Sequence, residues 1–266
     1  MNYKQITETT EQFIVDRTLN QGREGGVIGL SGGIDSTVVA FLSKNALGSD
    51  HVFGVCLPYG NQDSTKGERI AEMLGLPSSK TSEVHDYVTG EKATVTIPRV
   101  INIQPEVDES IAKHPYLFPT ATQKGNLMAR ERMIKLMDIA YSFNSVVFGT
   151  TNRTEFETGF FTKFGDGGVD IEPVLDLYKM ELYELAKYLG VPTEYLYKNQ
   201  KPDAGLPDGM TDEEIMNVPY PVLDKILKGE TQEFDTSVIN RVNMLIKKAT
   251  HKKSMPPYPN LRHLVV

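Results

Sequence analysis

The chain has 266 residues, 39% hydrophobic and 24% charged, an ordinary balance for a globular protein and enough length for one large α/β domain. A net charge of −7 argues against a nucleic-acid binder, which needs a basic face. One cysteine excludes an internal disulfide and a cysteine-rich metal site, and no apolar run reaches the roughly 18 residues of a membrane helix.

In chain order, Ile6, Phe13, Ile14 and Leu19 give residues 3–22 a helical face expected to lie across a sheet. Gly26-Val27-Ile28-Gly29-Leu30 reads as a short buried parallel strand. The turn Ser31-Gly32-Gly33-Ile34-Asp35-Ser36 follows, and the apolar positions after it continue as a helix toward Gly48. His51–Leu57 is a second strand with Cys56 in its apolar interior, so this thiol is structural rather than nucleophilic. Pro58–Asp63 then forms a loop at a strand's carboxyl end, where open α/β sheets place ligands. Lys66–Leu74 is a short helix stopped by Gly75, and Lys80–Tyr87 a third strand. Pro98, Pro105, Pro115 and Pro119 and a mixed polarity make 88–124 an irregular segment of loops with short helical pieces, the material of lids and subunit contacts.

Regularity returns with a helix over Gly125–Tyr141 and a buried strand over Ser145–Gly149. Tyr178–Leu189 and Thr236–Ala249 are amphipathic helices, the second followed by His251, Lys252 and Lys253. Strands alternating with helices predict an α/β fold, a Rossmann-like open parallel sheet with helices on both faces.

The turn at 31–36 is where chemistry first shows. Two glycines let the backbone approach a phosphate, the turn's N–H groups converge on it, and the helix dipole favours negative charge there. Ser31 and Ser36 add hydroxyls, and Asp35 is placed to hold a Mg²⁺ shared with phosphate oxygens. No Lys follows Gly33 as a Walker A loop requires, and the dinucleotide pattern G-x-G-x-x-G is absent. The turn resembles the S-G-G-x-D-S pyrophosphate loop of the ATP pyrophosphatase superfamily.

Three further clusters stand in order. They are Lys124-Gly125-Asn126-Leu127-Met128-Ala129-Arg130-Glu131-Arg132, Gly149-Thr150-Thr151-Asn152-Arg153-Thr154-Glu155, and the glycine-rich run Gly159-Phe160-Phe161-Thr162-Lys163-Phe164-Gly165-Asp166-Gly167-Gly168-Val169-Asp170. With the late His251-Lys252-Lys253, the set resembles the NAD⁺ synthetase family. The resemblance spans Gly29 to Lys253 and implies one NAD⁺ synthetase domain over 1–266, adenine nucleotide α-hydrolase-like, with no glutaminase domain.

It also implies residue roles. Gly29, Leu30, Ser31, Gly32, Gly33, Ile34, Asp35 and Ser36 cradle the ATP pyrophosphate, and Asp35 and Glu155 hold Mg²⁺. Thr150, Lys179 and Asp203 touch ATP. Arg130, Lys163, Asp170, His251 and Lys252 hold deamido-NAD⁺, with Asp35, Glu155, Lys163 and Asp170 closest to catalysis. The substrates implied are ATP, deamido-NAD⁺ and ammonia, in a cytoplasmic homodimer without nucleic-acid or membrane partners. The chain departs from the family in one place. Lys201-Pro202-Asp203-Ala204-Gly205-Leu206 puts Asp203 where the family has P-[ST]-A-[GD]-L, and a carboxylate near phosphates is unfavourable without a cation between them.

Taken singly, these residues admit plainer readings. Glu155 could cap a helix, Arg130 and Arg132 could pair with Glu131 or Asp138, and Lys179 could be a surface lysine. Phe160, Phe161 and Phe164 could serve packing alone. Two rival functions also fit the turn: another pyrophosphate-loop enzyme that amidates or thiolates a different substrate, and a non-catalytic adenine-nucleotide binder.

Overall fold

Strands buried on both faces have no room for alternating polar residues, and the three central strands read as GGVIG, VFGV and SVVF. The computed structural model describes residues 1–86, 88–196, 210–254 and 259. Its elements run α1 (Tyr3–Arg17), β1 (Gly25–Gly29), α2 (Ile34–Leu47), β2 (Val52–Val55), α3 (Thr65–Met73), β3 (Ser79–His85) and β4 (Lys92–Pro98). They continue with α4 (Gln104–Lys113), α5 (Ala121–Ser142), β5 (Ser145–Phe148), α6 (Arg153–Thr158), α7 (Lys179–Tyr188), α8 (Asp212–Met216), α9 (Tyr220–Leu227) and α10 (Thr236–Ala249).

The central strands pair in parallel in the order β2–β1–β5, with Gly26 opposite both Val52 and Val146. Parallel bridges from Cys56 to Val100 and from Phe148 to Ile171 extend the sheet at its two edges. Side chains alternate between faces. Ile28, Val52, Val146 and Phe148 enter the core shared with α1, α2 and α7, while Val27, Phe53, Val55 and Val147 enter the core shared with α4 and α5. The fold is therefore the expected parallel α/β sheet covered on both faces. A third apolar cluster, around Met216, Tyr220, Leu223 and Val242, joins α8, α9 and α10 and reaches Phe160 and Met180.

Three local expectations need correction. Residues 79–85 do not add a third strand to the parallel sheet; they pair antiparallel with β4, Ser79 opposite Pro98 and His85 opposite Lys92. The sequence SKTSEVH lacks the continuous apolar run of a doubly covered strand, and Tyr87 lies outside the described residues. The segment 88–124 does hold loops and short helical pieces, α4 among them, but it also holds the strand β4 and the start of the long helix α5, which its prolines and mixed polarity do not reveal. Pro105 sits in the first turn of α4, where its missing N–H leaves no helical bond unmade. Finally, the N-terminal helix stops at Arg17 and packs chiefly against α2. Among the described residues no helix is long and apolar enough to cross a membrane.

Candidate active site

The carboxyl ends of β1 and β5 bring the predicted residues to one edge of the sheet. After β1 the chain turns at Gly32, whose φ of +76° suits glycine, and a Cβ there would meet the Lys66 side chain at 2.5 Å. α2 starts at Ile34 with Gly33 as its N-cap and no side-chain cap, which leaves the first N–H groups of the helix without a side-chain acceptor, as in an anion site. Ser31 Oγ accepts the Gly33 N–H at 3.1 Å and lies 3.2 Å from Ser36 Oγ. Leu30 through Gly33 thus make the tight turn between the end of β1 and the start of α2.

Asp35, Glu155 and Lys179 meet beside it. Asp35 is in the first turn of α2, Glu155 is the third residue of α6 and Lys179 the first of α7. Lys179 Nζ donates to Asp35 Oδ2 at 2.6 Å and to Glu155 Oε1 at 3.2 Å. Asn152 braces both acids. Its Nδ2 donates to Asp35 Oδ1 at 2.8 Å, its Oδ1 accepts the Glu155 N–H at 3.0 Å, and Glu155 Oε2 accepts the Asn152 N–H at 3.3 Å. The helix-cap reading of Glu155 is therefore correct, and the same carboxylate also pairs with Lys179.

Side-chain exposure is 6% for Lys179, 18% for Asp35 and 15% for Glu155, so the lysine is no surface residue. Burial raises the Glu155 carboxyl, with Asp35 and Asp212 adding repulsion and Lys179 opposing. Burial alone would lower Lys179, yet Asp35 and Glu155 outweigh it and hold the ammonium well above its ordinary range. The Tyr220 ring lies 5.2 Å from Lys179 Nζ, and its hydroxyl donates to Asp212 at 2.9 Å.

Two carboxylates turned toward one cation are the donor set of a hard divalent ion. Among the described residues no group of three or more His, Cys, Asp or Glu could hold a metal. Asp35 and Glu155 would thus supply only part of a shell, as is usual for Mg²⁺ shared with nucleotide phosphates.

The loop over 159–170 is held differently. Lys252 Nζ donates to the Gly159 and Phe161 carbonyls at 2.7 and 2.5 Å, and Lys163 Nζ to the His251 carbonyl at 2.6 Å. Arg130, exposed on α5, reaches the Lys163 carbonyl at 3.4 Å. Arg130, Lys163, His251 and Lys252 therefore do come together. Asp170 instead accepts the Val147 N–H at 2.7 Å, against β5. Arg132 pairs with neither Glu131 nor Asp138 in the contacts observed; it donates to the Leu57 carbonyl and Gln62. Phe160 packs into the third core and Phe161 stacks on Phe156, whereas Phe164 is 60% exposed. Thr150 is half-buried between β5 and α6. Asp203 and Lys201 lie outside the described residues.

The NAD synthase family model matches residues 6–256. The chain belongs to the NAD synthase family. The NH₃-dependent NAD⁺ synthetase of Pyrococcus horikoshii is 39% identical, over 100% of this chain and 98% of its own. Among solved structures, the NMN synthetase of Francisella tularensis superposes with a TM-score of 0.81 at 33% identity, covering 98% of this chain and 99% of that one. The NH₃-dependent NAD synthetase of Campylobacter jejuni, solved with a nitrate ion, gives 0.76 at 28% identity, covering 98% and 100%.

Two acids that no local pattern singles out border the site. Glu172 lies over Gly149, where a Cβ would come within 2.3 Å of its carboxylate, and it accepts the Thr151 N–H at 3.1 Å. Burial pushes its carboxyl up to about 7. The other is Asp224 on α9, only 3% exposed. Cys56 is buried and its thiol pushed up to about 12 by burial, in keeping with a structural role.

Proposed function

We propose that the chain converts deamido-NAD⁺ to NAD⁺ with ATP and free ammonia, releasing AMP and pyrophosphate. The observation that carries this reading is the meeting of Asp35, Lys179 and Glu155 beside the Gly29–Ser36 turn, in a member of the NAD synthase family. The nicotinate carboxylate attacks the α-phosphorus of ATP. A carboxyl–phosphorus bond forms, the bond to the β-phosphate oxygen breaks, and pyrophosphate leaves. Ammonia then adds to the activated carbonyl, nitrogen gives up a proton, and AMP departs. Activation is needed because a free carboxylate is a poor electrophile.

The protein's task is to hold two anions in line and offset charge as it builds. In this reading Gly29, Leu30, Ser31, Gly32, Gly33, Ile34 and Ser36 receive the pyrophosphate portion of ATP, with Thr150 and Asp203 as further contacts. Asp35 and Glu155 are the residues that would hold Mg²⁺, which when bound neutralises phosphate charge. Lys179, held between the two carboxylates, presents its ammonium to a phosphate oxygen. Arg130, Lys163, His251 and Lys252 hold deamido-NAD⁺, with Asp170, held against β5, as a further contact. Lys163 and Lys252 donate only to neutral carbonyls in the contacts above. An arriving phosphate or carboxylate is the stronger acceptor, so these lysines can be transferred to it.

The reading extends to a cytoplasmic homodimer. α5 buries Met128, Ile139 and Ala140 while leaving Ile134 43% and Tyr141 62% exposed, apolar surface suited to a second copy.

The purified protein should form NAD⁺ and AMP in equal amounts from deamido-NAD⁺, ATP and ammonium. Glutamine should not replace ammonium. Given the likeness to an NMN synthetase, nicotinate mononucleotide is the competing acid to test, and kcat/KM should favour deamido-NAD⁺. A preference for the mononucleotide, or ADP in place of AMP, would overturn the proposal.

A further inference from the structure

Asp224 divides its carboxylate between two helices. Oδ1 accepts the Thr154 hydroxyl on α6 at 2.5 Å, and Oδ2 accepts the Met180 N–H in the first turn of α7 at 2.8 Å. Thr154 Oγ1, wholly buried, in turn accepts the Lys179 N–H at 2.9 Å. One carboxylate on α9 therefore satisfies the first two N–H groups of α7, one directly and one through a single hydroxyl. An acid is well placed there, at the positive end of the helix.

What this lock joins is informative. Glu155 is the residue after Thr154, and Lys179 is the residue whose N–H the threonine holds. Both are long side chains whose charged ends lie 3.2 Å apart. That separation depends on the offset between the starts of α6 and α7, which the Asp224–Thr154 pair fixes. The pair touches neither the turn at 29–36 nor the lysines of the 159–170 loop in the contacts observed.

We propose that Asp224, acting through the Thr154 hydroxyl, is a positioning residue that sets Glu155 against Lys179 for ATP. The inference rests on the ATP role proposed above for those two residues. It differs from a simple brace between helices in what it requires. A brace affects how much protein is folded, whereas a positioning pair affects how the folded protein handles ATP.

The deciding variants are Thr154→Val, which keeps the volume and removes the hydroxyl, and Thr154→Ser, which keeps the hydroxyl. In Thr154→Val the KM for ATP should rise about tenfold and kcat fall by a similar factor, the scale on which small misplacements act. The KM for deamido-NAD⁺ should stay at the wild-type value, and Thr154→Ser should restore both constants. Asp224→Asn retains one carbonyl acceptor and so should raise the KM for ATP less than Thr154→Val. It serves as the second probe if Thr154→Val does not fold. Wild-type ATP kinetics per folded molecule in both folded variants, with only a lower melting temperature, would overturn this inference alone. Wild-type protein that makes no AMP at all would instead remove the function on which it rests.

Discussion

Two regions of this protein handle positive charge in opposite ways. At the corner of Asp35, Glu155 and Lys179, a buried ammonium is clasped by two carboxylates that are braced in turn by Asn152. At the 159–170 loop, Lys163 and Lys252 are held by main-chain carbonyls and remain partly exposed. Charged pairs out of water are strong and costly to break singly, while neutral acceptors hold a lysine lightly. The difference teaches a division of labour. On the proposed function, the corner would keep one geometry for phosphates and Mg²⁺, and the loop would keep its cations ready for transfer to an incoming dinucleotide.

The contrast can be broken most sharply at the corner. Asp35→Asn and Glu155→Gln should each lower kcat by about 10²–10³-fold, the usual loss for one preorganised electrostatic group. Steady-state rates at saturating Mg²⁺ measure this, and near-normal kcat in either variant would contradict the corner's role.

Next comes stability. Lys179→Met leaves two half-buried carboxylates without their cation, which should cost about 3–5 kcal/mol at pH 8. With the lysine gone, burial would raise the Glu155 carboxyl further, so the deficit should shrink toward pH 5. Thermal melts at the two pH values test it, and an unchanged melting point at pH 8 would show that the clasp contributes nothing.

At the loop the effects should be smaller and of another kind. Lys163→Ala and Lys252→Ala should each raise the KM for deamido-NAD⁺ about tenfold, with kcat changed less. Equal losses in kcat and kcat/KM would place these lysines in the reacting centre instead.

The smallest effect concerns Glu172. Its carboxyl is raised by burial from the usual 4.5 to about 7. Between those values the folded chain keeps a proton that the unfolded chain has lost, so stability declines as pH rises through this window. Glu172→Gln, which preserves an acceptor for the Thr151 N–H, should gain about 1 kcal/mol at pH 8 and nothing at pH 5, allowing for partial exposure. A gain that did not depend on pH would point to packing rather than charge.

What the sequence makes legible is what is written contiguously. β1, its glycine turn and α2 follow one another, and α10 runs from Thr236 to Ala249, the limits its apolar period predicts. The hairpin of β3 and β4 was hidden because its strands choose each other rather than the central sheet, and short polar stretches carry no mark of that choice. Lys179 looks like a surface lysine in its own helix because the acids that bury it come from positions 144 and 24 residues away. Asp224 bonds Thr154 across 70 residues and follows no local pattern. The charged corner becomes visible only once the fold brings its parts together.

The most direct test of the account is deamido-NAD⁺-dependent exchange of labelled pyrophosphate into ATP, measured without ammonium. If the corner presents ATP to the nicotinate carboxylate, the wild-type protein should catalyse this exchange, and Glu155→Gln should lose it. No exchange in the wild type, under conditions where ammonium supports NAD⁺ formation, would contradict a reversible acyl-adenylate step at this site.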